Sequence, residues 1–175
     1  QAHGDTDVPR LVVEKAVEAL GGSSGSVMLP GDDHGRMRVV AAVGAESRRG
    51  PRPESPVAEW VVRNDEPMLL LGQTGPLAPL LKRHDIRDAV CVPLRYGGSV
   101  IGALSVNNST GRGPFASRDV ALLTTIGHLA AVALKNTMLF EEARLRKRQL
   151  QDVLRQLWSA QEDERKRLAE DLHDG

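Results

Sequence analysis

Cysteine, aromatic residues and net charge are all scarce in this chain of 175 residues. Its single cysteine, Cys91, excludes an internal disulfide and a cysteine-rich zinc site. Its 23 basic and 23 acidic residues balance, so there is no positive footprint for a phosphate backbone, and we expect no nucleic-acid partner. Because no run of about 18 apolar residues occurs, we also expect no membrane span. Five Phe, Trp and Tyr residues in total argue against a large flat cofactor held by stacking.

We do not expect the N-terminal residues to form a targeting signal. Residues 1–7 are polar and lack the order of basic, apolar and small residues that marks a signal peptide. We expect them to be disordered or an arbitrary edge of the chain. Since nothing in the sequence requires an oxidising compartment, we expect a cytoplasmic protein.

Proline divides the chain into two parts. All ten prolines lie between Pro9 and Pro114, and only Gly127 and Gly175 interrupt the helix-forming residues that follow. Residues 139–175 contain 17 charged side chains among 37 residues. The composition therefore predicts a mixed α and β domain followed by a long charged helix.

The domain begins with a predicted amphipathic helix. Apolar residues recur at helical spacing over residues 7–20, and Gly21 and Gly22 end the pattern. The predicted buried stripe comprises Val8, Leu11, Val12, Ala16 and either Ala19 or Leu20.

A second helix and five strands are predicted between this first helix and Pro114. Ser55 is suited to cap a short helix over residues 55–63, and Pro56 to occupy its first position. Gly97 and Gly98 lie between two apolar runs, which is typical of a β-hairpin. The strand candidates are residues 26–29, 37–43, 68–71, 89–94 and 100–106, of which the first two form a further hairpin.

The helix predicted after Pro114 carries the seam of a coiled coil. Ser117 is suited to be its N-cap, with Asp119 in the first turn. At about 1.5 Å per residue it extends roughly 87 Å, too far for a domain of this size to cover. Apolar residues in alternating steps of four and three predict a parallel dimer, with Arg146 as a polar interruption. The seam comprises Leu139, Ala143, Leu150, Val153, Leu157 and Ala160.

The apolar pattern slips by one position after Ala160. Continuing in phase would place Glu164 and Asp171 in the seam, whereas the apolar residues are Leu168 and Leu172. Such a slip is typical of a stutter, or of a change from a two-helix to a four-helix core.

Several short strings occur in order through residues 8–138. They are AVCVPL at 89–94, the Gly97-Gly98 turn, VIGALSVN at 100–107 and PF at 114–115. The series resembles that of a GAF domain. The resemblance implies an α+β fold, an antiparallel sheet of five or six strands with flanking helices. The two terminal helices would cover one face, and a small-molecule pocket, bounded by residues 44–60 and 72–88, would lie on the other.

A second string, EDERKRLAEDLHD at residues 162–174, is similar to the phosphoacceptor box of sensor histidine kinases of the nitrate-sensor class. The resemblance implies that His173 accepts phosphate and that Asp174 takes the proton from the other ring nitrogen. An imidazole lone pair is a suitable nucleophile for phosphorus. The resemblance also implies a coiled-coil signalling helix over residues 139–160, with residues 161–175 starting the dimerisation and phosphoacceptor helix.

Together the two resemblances imply the sensing region of a two-component protein-histidine kinase. The whole kinase would be the enzyme. The fragment, which is expected to stop just after the phosphoacceptor box, lacks the ATP-binding catalytic domain and should be inactive alone. The implied partners are a second copy of the chain, a cognate response regulator and a small molecule in the GAF pocket. ATP serves the missing domain, and no cofactor is expected in the fragment.

Two alternatives remain open from the sequence. The GAF region could be a dimerisation or interaction module without a ligand, its pocket filled by its own side chains. It could instead sense haem or redox state through His84, which precedes the strand predicted at 89–94. The charged neighbours of His84 are typical of an exposed loop, so haem is not the expected cofactor. No two histidines have metal-ligand spacing, and no metal site is expected.

The remaining polar residues of the domain are expected to be structural. Cys91 lies in an apolar strand and should be a buried core residue. Asn107, Asn108, Phe115 and Asp119 follow part of a pattern found in cyclic-nucleotide GAF domains. Asn108 replaces the lysine of that pattern, so the lysine–aspartate ion pair cannot form. We expect both asparagines to be turn residues.

Overall fold

The computed structural model describes residues 7–31, 36–44, 55–72, 86–108 and 113–173. The chain divides into two compact units, residues 1–135 and residues 136–175. The elements in chain order are α1 (Val8–Leu20), β1 (Ser24–Pro30), β2 (Met37–Gly44), α2 (Pro56–Asn64), β3 (Met68–Leu71), β4 (Asp88–Tyr96), β5 (Ser99–Asn108) and α3 (Ser117–His173).

The five strands form one antiparallel sheet in the order β2-β1-β5-β4-β3. The hairpin between β4 and β5 turns at Gly97 and Gly98, whose φ values are 57° and 81°. A two-residue turn with positive φ at both positions has the twist that antiparallel strands require, and glycine adopts it without strain. The predicted strands and hairpins are confirmed, with β1, β4 and β5 each longer than the patterns indicated.

Side chains of the sheet alternate between two faces. Val90, Val92 and Leu94 lie in a core cluster with residues of α1 and α3, whereas Ala89 and Cys91 lie in a second cluster with residues of α2. Period-two alternation follows from the pleat of a strand. The predicted α+β fold, with the two terminal helices on one face, is therefore confirmed. We call the opposite face the α2 face.

Helix α1 begins and ends where the sequence predicted. The Asp7 side chain caps it by accepting a hydrogen bond from the backbone N–H of Arg10 at 3.1 Å, and Gly21 ends it in the left-handed conformation with φ 61°. The predicted buried stripe was partly wrong, because Leu11 is 43% exposed and Ala19 is also exposed. The face that packs on the sheet is instead formed by Val13, Ala16 and Leu20.

Helix α3 begins at Ser117. The side chain that stabilises its first turn is not that of Ser117, the predicted cap, but that of Asp119. The carboxylate of Asp119 reaches back and accepts a hydrogen bond from the backbone N–H of Ala116 at 2.7 Å. An acidic residue in the first turn satisfies an otherwise unpaired donor and complements the positive helix end. Gly127 lets the helix approach the sheet closely, since a Cβ there would lie 3.2 Å from Cγ2 of Val92.

By length and composition alone, α3 could cross a membrane, which contrasts with the expectation from apolar runs. An 18-residue window of this helix has a mean hydropathy of 1.2, and 28% of that window is buried inside the structure. Leu123, Ala131 and Leu134 of the same helix belong to the core of the domain. Packing against the sheet therefore gives a structural reason for its apolar composition.

Candidate functional site

Four polar residues are buried side by side on the α2 face. Ser24 and Ser26 of β1 pair directly with Asn107 and Ser105 of β5. All four are at most 7% exposed, and the strand pleat directs them to the same face as Cys91. We call Ser24, Ser26, Ser105 and Asn107 the polar floor. Buried polar groups in the middle of a sheet require hydrogen-bond partners, so this floor is the candidate binding surface.

Two hydroxyls of the polar floor have unused hydrogen-bonding capacity. The Ser105 hydroxyl donates to the side-chain oxygen of Asn107 at 3.3 Å. Ser24 and Ser26 are only 3% and 4% exposed, and the structure gives neither hydroxyl a side-chain hydrogen bond with any residue that it describes. An unpaired buried hydroxyl costs about 1–3 kcal/mol, which a water or a polar ligand atom can recover.

Cys91 adjoins the polar floor from the neighbouring strand, where it pairs with Ser105. Burial raises the pKa of the Cys91 thiol to about 12, and a hydrogen bond with Ser105 offsets a small part of that rise. A thiol of this pKa is almost entirely protonated at neutral pH and is a poor nucleophile. The residue is buried, as predicted, and it contributes volume and a weak hydrogen-bonding group to the site.

The apolar side chains of this face can repack around different shapes. Helix α2 contributes Val57, Ala58 and Val61 to the cluster on the α2 face. Ser55 caps this helix by accepting a hydrogen bond from the Ala58 N–H at 3.3 Å, as predicted. Unbranched methionine side chains can repack around different shapes. Three of them lie in the same cluster, at Met28, Met37 and Met68.

A buried carboxylate holds the ends of β3 and β4 together. Asp88 accepts hydrogen bonds from the backbone N–H of Gly72 at 3.0 Å and from Nε of Arg87 at 3.0 Å. The backbone N–H of Arg87 in turn donates to the carbonyl of Asn108 at 2.8 Å. These contacts fix Gly72, which directly precedes the segment 73–85, and Arg87, two residues after it.

Several predicted site residues fall outside the part of the chain that the structure describes. His84 is among them, as is Asp174, and most of the predicted pocket boundary lies in residues 45–54 and 73–85. Their predicted roles therefore stay predictions. Among the described residues, no group of three His, Cys, Asp or Glu side chains is placed to hold a metal ion.

His173 is the last described residue of α3, in the second compact unit. It is exposed, as are its helical neighbours Leu168 and Leu172. The polar floor, by contrast, belongs to the first unit. The two predicted functional regions thus occupy separate units of one chain.

Sequence reasoning missed the polar floor because it assigned Asn107 and Asn108 to a turn. Both lie in β5 and are buried, so that expectation was wrong. A usable signal was present, since polar residues alternate with apolar ones at Ser105 and Asn107. Read with period two, this alternation predicts one polar strip on a buried face.

The comparisons with known proteins agree with this architecture. The sequence profile described as GAF domain matches residues 3–135. No functionally curated protein matches the chain significantly. Among solved structures, the second GAF domain of DevS from Mycobacterium smegmatis is 24% identical, covers 78% of this chain and 96% of its own, and has a TM-score of 0.61.

Two further structures have the same fold. The GAF domain of a phosphoenolpyruvate-protein phosphotransferase from Coxiella burnetii is 20% identical, covers 80% of this chain and 89% of its own, and has a TM-score of 0.63. A domain of a putative two-component sensor histidine kinase from Sinorhizobium meliloti 1021 is 22% identical, covers 82% and 98%, and has a TM-score of 0.60. With the profile matching most of its length, this chain belongs to the GAF domain family.

Proposed function

We propose that this chain is the sensing and dimerising region of a two-component sensor histidine kinase of the nitrate-sensor class, in which the GAF domain relays a signal to His173. The observation that carries the proposal is the string at residues 162–174, which ends in an exposed histidine of the same helix that leaves the GAF domain. No such string is needed for a GAF fold.

The helix supports a mechanical connection between the two regions. Residues 117–173 form one α-helix, and Leu123, Ala130 and Leu134 anchor its first part in the core of the GAF domain. A change in the sheet or its ligand therefore acts on residues that belong to the same helix as His173. Packed helices transmit such changes as small shifts between discrete arrangements.

A parallel homodimer is the proposed state of the chain. Within the first unit, Leu122, Leu129 and Val132 of α3 are exposed although their neighbours are buried. Counting by heptads, these three fall at the seam positions that continue to Leu139 and Leu150. One apolar side of this helix packs on its own sheet, and a second apolar side is exposed. Packing against the same helix of a second copy would bury that second side best.

The chemistry at His173 needs two further participants. The attacking nitrogen takes the terminal phosphoryl group of ATP, held by a catalytic domain, while the bond to the nucleoside diphosphate breaks. By the family resemblance, Asp174 takes the ring proton, and the phosphoryl group passes on to a response regulator. ATP and such a regulator are found together in the cytoplasm, which is the proposed location.

The polar floor supports a small-molecule signal in the GAF domain. A buried, unpaired Ser26 hydroxyl beside Ser105 and Asn107 offers hydrogen bonds to a polar ligand. A second candidate, a GAF module without a ligand, is favoured by the three methionines, which can fill a cavity themselves. Native mass spectrometry of the purified chain separates these two candidates.

Labelled ATP tests the proposed kinase role. The chain is joined after Gly175 to the remaining dimerisation and ATP-binding domains of a nitrate-sensor-class kinase, and this chimera should become labelled. His173→Gln should abolish labelling, and Asp174→Asn should slow it. Glu170→Gln, on the same helical turn, should keep it. The isolated chain should incorporate nothing, and label retained in His173→Gln would contradict the proposal.

A further inference from the structure

The polar floor is framed by small residues on both flanking strands. A residue that pairs directly with a floor residue lies beside it on the same face of the sheet. The residues paired with the floor in this way are Gly44 and Ala42 of β2, and Ala89 and Cys91 of β4. None of them has a side chain larger than that of cysteine, so the flanking strands leave room above the floor.

Buried charges are confined to the opposite face of the sheet. Among the described residues, Asp88 and Asp119 are the only charged side chains that are buried. Asp88 precedes Ala89 on β4 and therefore faces away from the α2 face. Asp119 belongs to α3, which covers that other face. The polar side chains buried on the α2 face are hydroxyls and one carboxamide, all of them uncharged.

An ionic ligand would be unfavourable above this floor. A phosphate or carboxylate that leaves water loses its hydration, and only a cation buried beside it restores that energy. No Lys, Arg or His side chain is buried in the part of the chain that the structure describes. An uncharged polar molecule loses much less hydration, and hydroxyl and amide groups alone can satisfy its hydrogen bonds.

The unpaired hydroxyls set the size of the group that fits. Ser24 and Ser26 are two residues apart on β1, so their side chains lie about 7 Å apart on one face. Ser105 lies beside Ser26 on β5, with about 5 Å between the two Cβ atoms. The floor is therefore about as wide as one ring with a polar substituent. Because a hydroxyl both donates and accepts, a group that does both, such as a carboxamide, suits the two unpaired serines.

We propose that the polar floor binds a small uncharged molecule with a carboxamide or lactam group, and that it discriminates against the corresponding carboxylate. The proposal rests on the proposed small-molecule role of the GAF domain. Ser24 and Ser26 supply hydrogen bonds to the amide. The apolar body of the molecule contacts methionines that adjoin the floor, since Met28 follows Ser26 by two residues and Met68 pairs with Cys91.

Two matched pairs of probes test the proposed selectivity, benzamide with benzoate and nicotinamide with nicotinate. The members of each pair have nearly the same shape and differ in charge at neutral pH. Saturation-transfer NMR with the full chain measures their binding. We expect both amides to bind at least roughly tenfold more tightly than their acids, because the carboxylates would lose hydration without gaining an ion pair.

A double variant assigns the binding to the floor. Ser24→Ala with Ser26→Ala removes both unpaired hydroxyls and should weaken benzamide binding by roughly tenfold. The thermal midpoint of the free protein should not fall, because neither hydroxyl makes a hydrogen bond with a described residue. A purely structural pair of serines would instead lower that midpoint and leave the benzamide affinity unchanged. Ser99→Ala, at an exposed position of β5, is the matched control and should change neither quantity.

The outcomes separate this inference from the proposed function. Acids that bind as tightly as the amides, or an unchanged benzamide affinity in the double variant, would overturn this inference alone. If none of the four probes binds at millimolar concentration, the inference is also overturned. If native mass spectrometry of the purified chain then shows no bound small molecule, the proposed small-molecule role falls with it. Labelling of His173 in the chimera does not depend on the floor, so none of these results contradicts the kinase proposal.

Discussion

Cys91 and Ser105 lie opposite each other on β4 and β5, and both side chains are buried on the same face of the sheet. The protonated thiol should not react with a disulfide reagent in the native protein, because only the thiolate attacks and burial raises the thiol pKa to about 12. Colorimetric thiol titration should detect one group only after denaturation. Rapid reaction of the native protein would contradict this environment.

The same pKa rise predicts a loss of stability at alkaline pH. Above about pH 9 the unfolded thiol ionises, while the folded thiol stays protonated up to about pH 12. The unfolded state then binds fewer protons, so the free energy of unfolding should fall through this window by up to about 1.4 kcal/mol per pH unit. Cys91→Ala should remove this component of the slope in urea titrations. If the free energy of unfolding falls equally with pH in the parent protein and in Cys91→Ala, the prediction is wrong.

Asp88→Asn should destabilise the GAF domain by about 1–3 kcal/mol, since a neutral amide replaces a buried carboxylate that two donors share. The donors are the Gly72 N–H and the Arg87 guanidinium. Urea unfolding followed by circular dichroism measures the change. Asp65→Asn is the matched control, because Asp65 is half exposed in its ion pair with Arg95 and should cost less than about 1 kcal/mol. Equal losses of stability in the two variants would mean that the Asp88 contacts contribute no more than an exposed ion pair does.

Gly102→Ala should be strongly destabilising for steric reasons. A Cβ at Gly102 would lie 2.4 Å from the carbonyl oxygen of Met28 and 2.6 Å from Cδ2 of Leu29. Overpacking of this kind costs about 1–3 kcal/mol, because the backbone of β1 must move. Gly113→Ala should be nearly neutral, since nothing lies within 4 Å of its Cβ position. Thermal unfolding compares the two variants, and a Gly102→Ala protein as stable as the parent would refute the packing.

Leu157→Asp should dissociate the proposed dimer, because each dimer would bury two carboxylates without partners. Light scattering coupled to size exclusion should give about twice 19.0 kDa for the parent chain and about 19.0 kDa for this variant. Leu150→Asp should behave in the same way. Ser159→Asp, on the outward side, should leave the dimer intact. A parent chain that is monomeric at micromolar concentration would disprove the coiled coil.

The positions of the strands and helices were predictable because local chemistry determines them. The φ preference of Gly97 and Gly98, the cap at Ser55 and the period of the apolar residues are all properties of short segments. The orientation of α1 was not predictable in the same way. Apolar residues surround that helix, and only contact with the sheet selects Val13 over Leu11 as the buried residue.

The candidate site was less predictable than the fold. The turn preference of Asn107 gave way to strand pairing with Ala89 and Ser24, which no local pattern reveals. The polar floor requires two strands that are distant in sequence to be placed in register. His173 was different, because a contiguous string on one helix identified it without any tertiary information.

The location of phosphate in the labelled chimera tests the central claim most directly. Tandem mass spectrometry at neutral pH, where phosphohistidine survives, should find a single modified residue in the peptide containing 168–175, and it should be His173. Brief acid treatment should remove the modification. Phosphate that resists acid, or that maps to any other residue, would contradict the assignment of this chain as the sensing region of a histidine kinase.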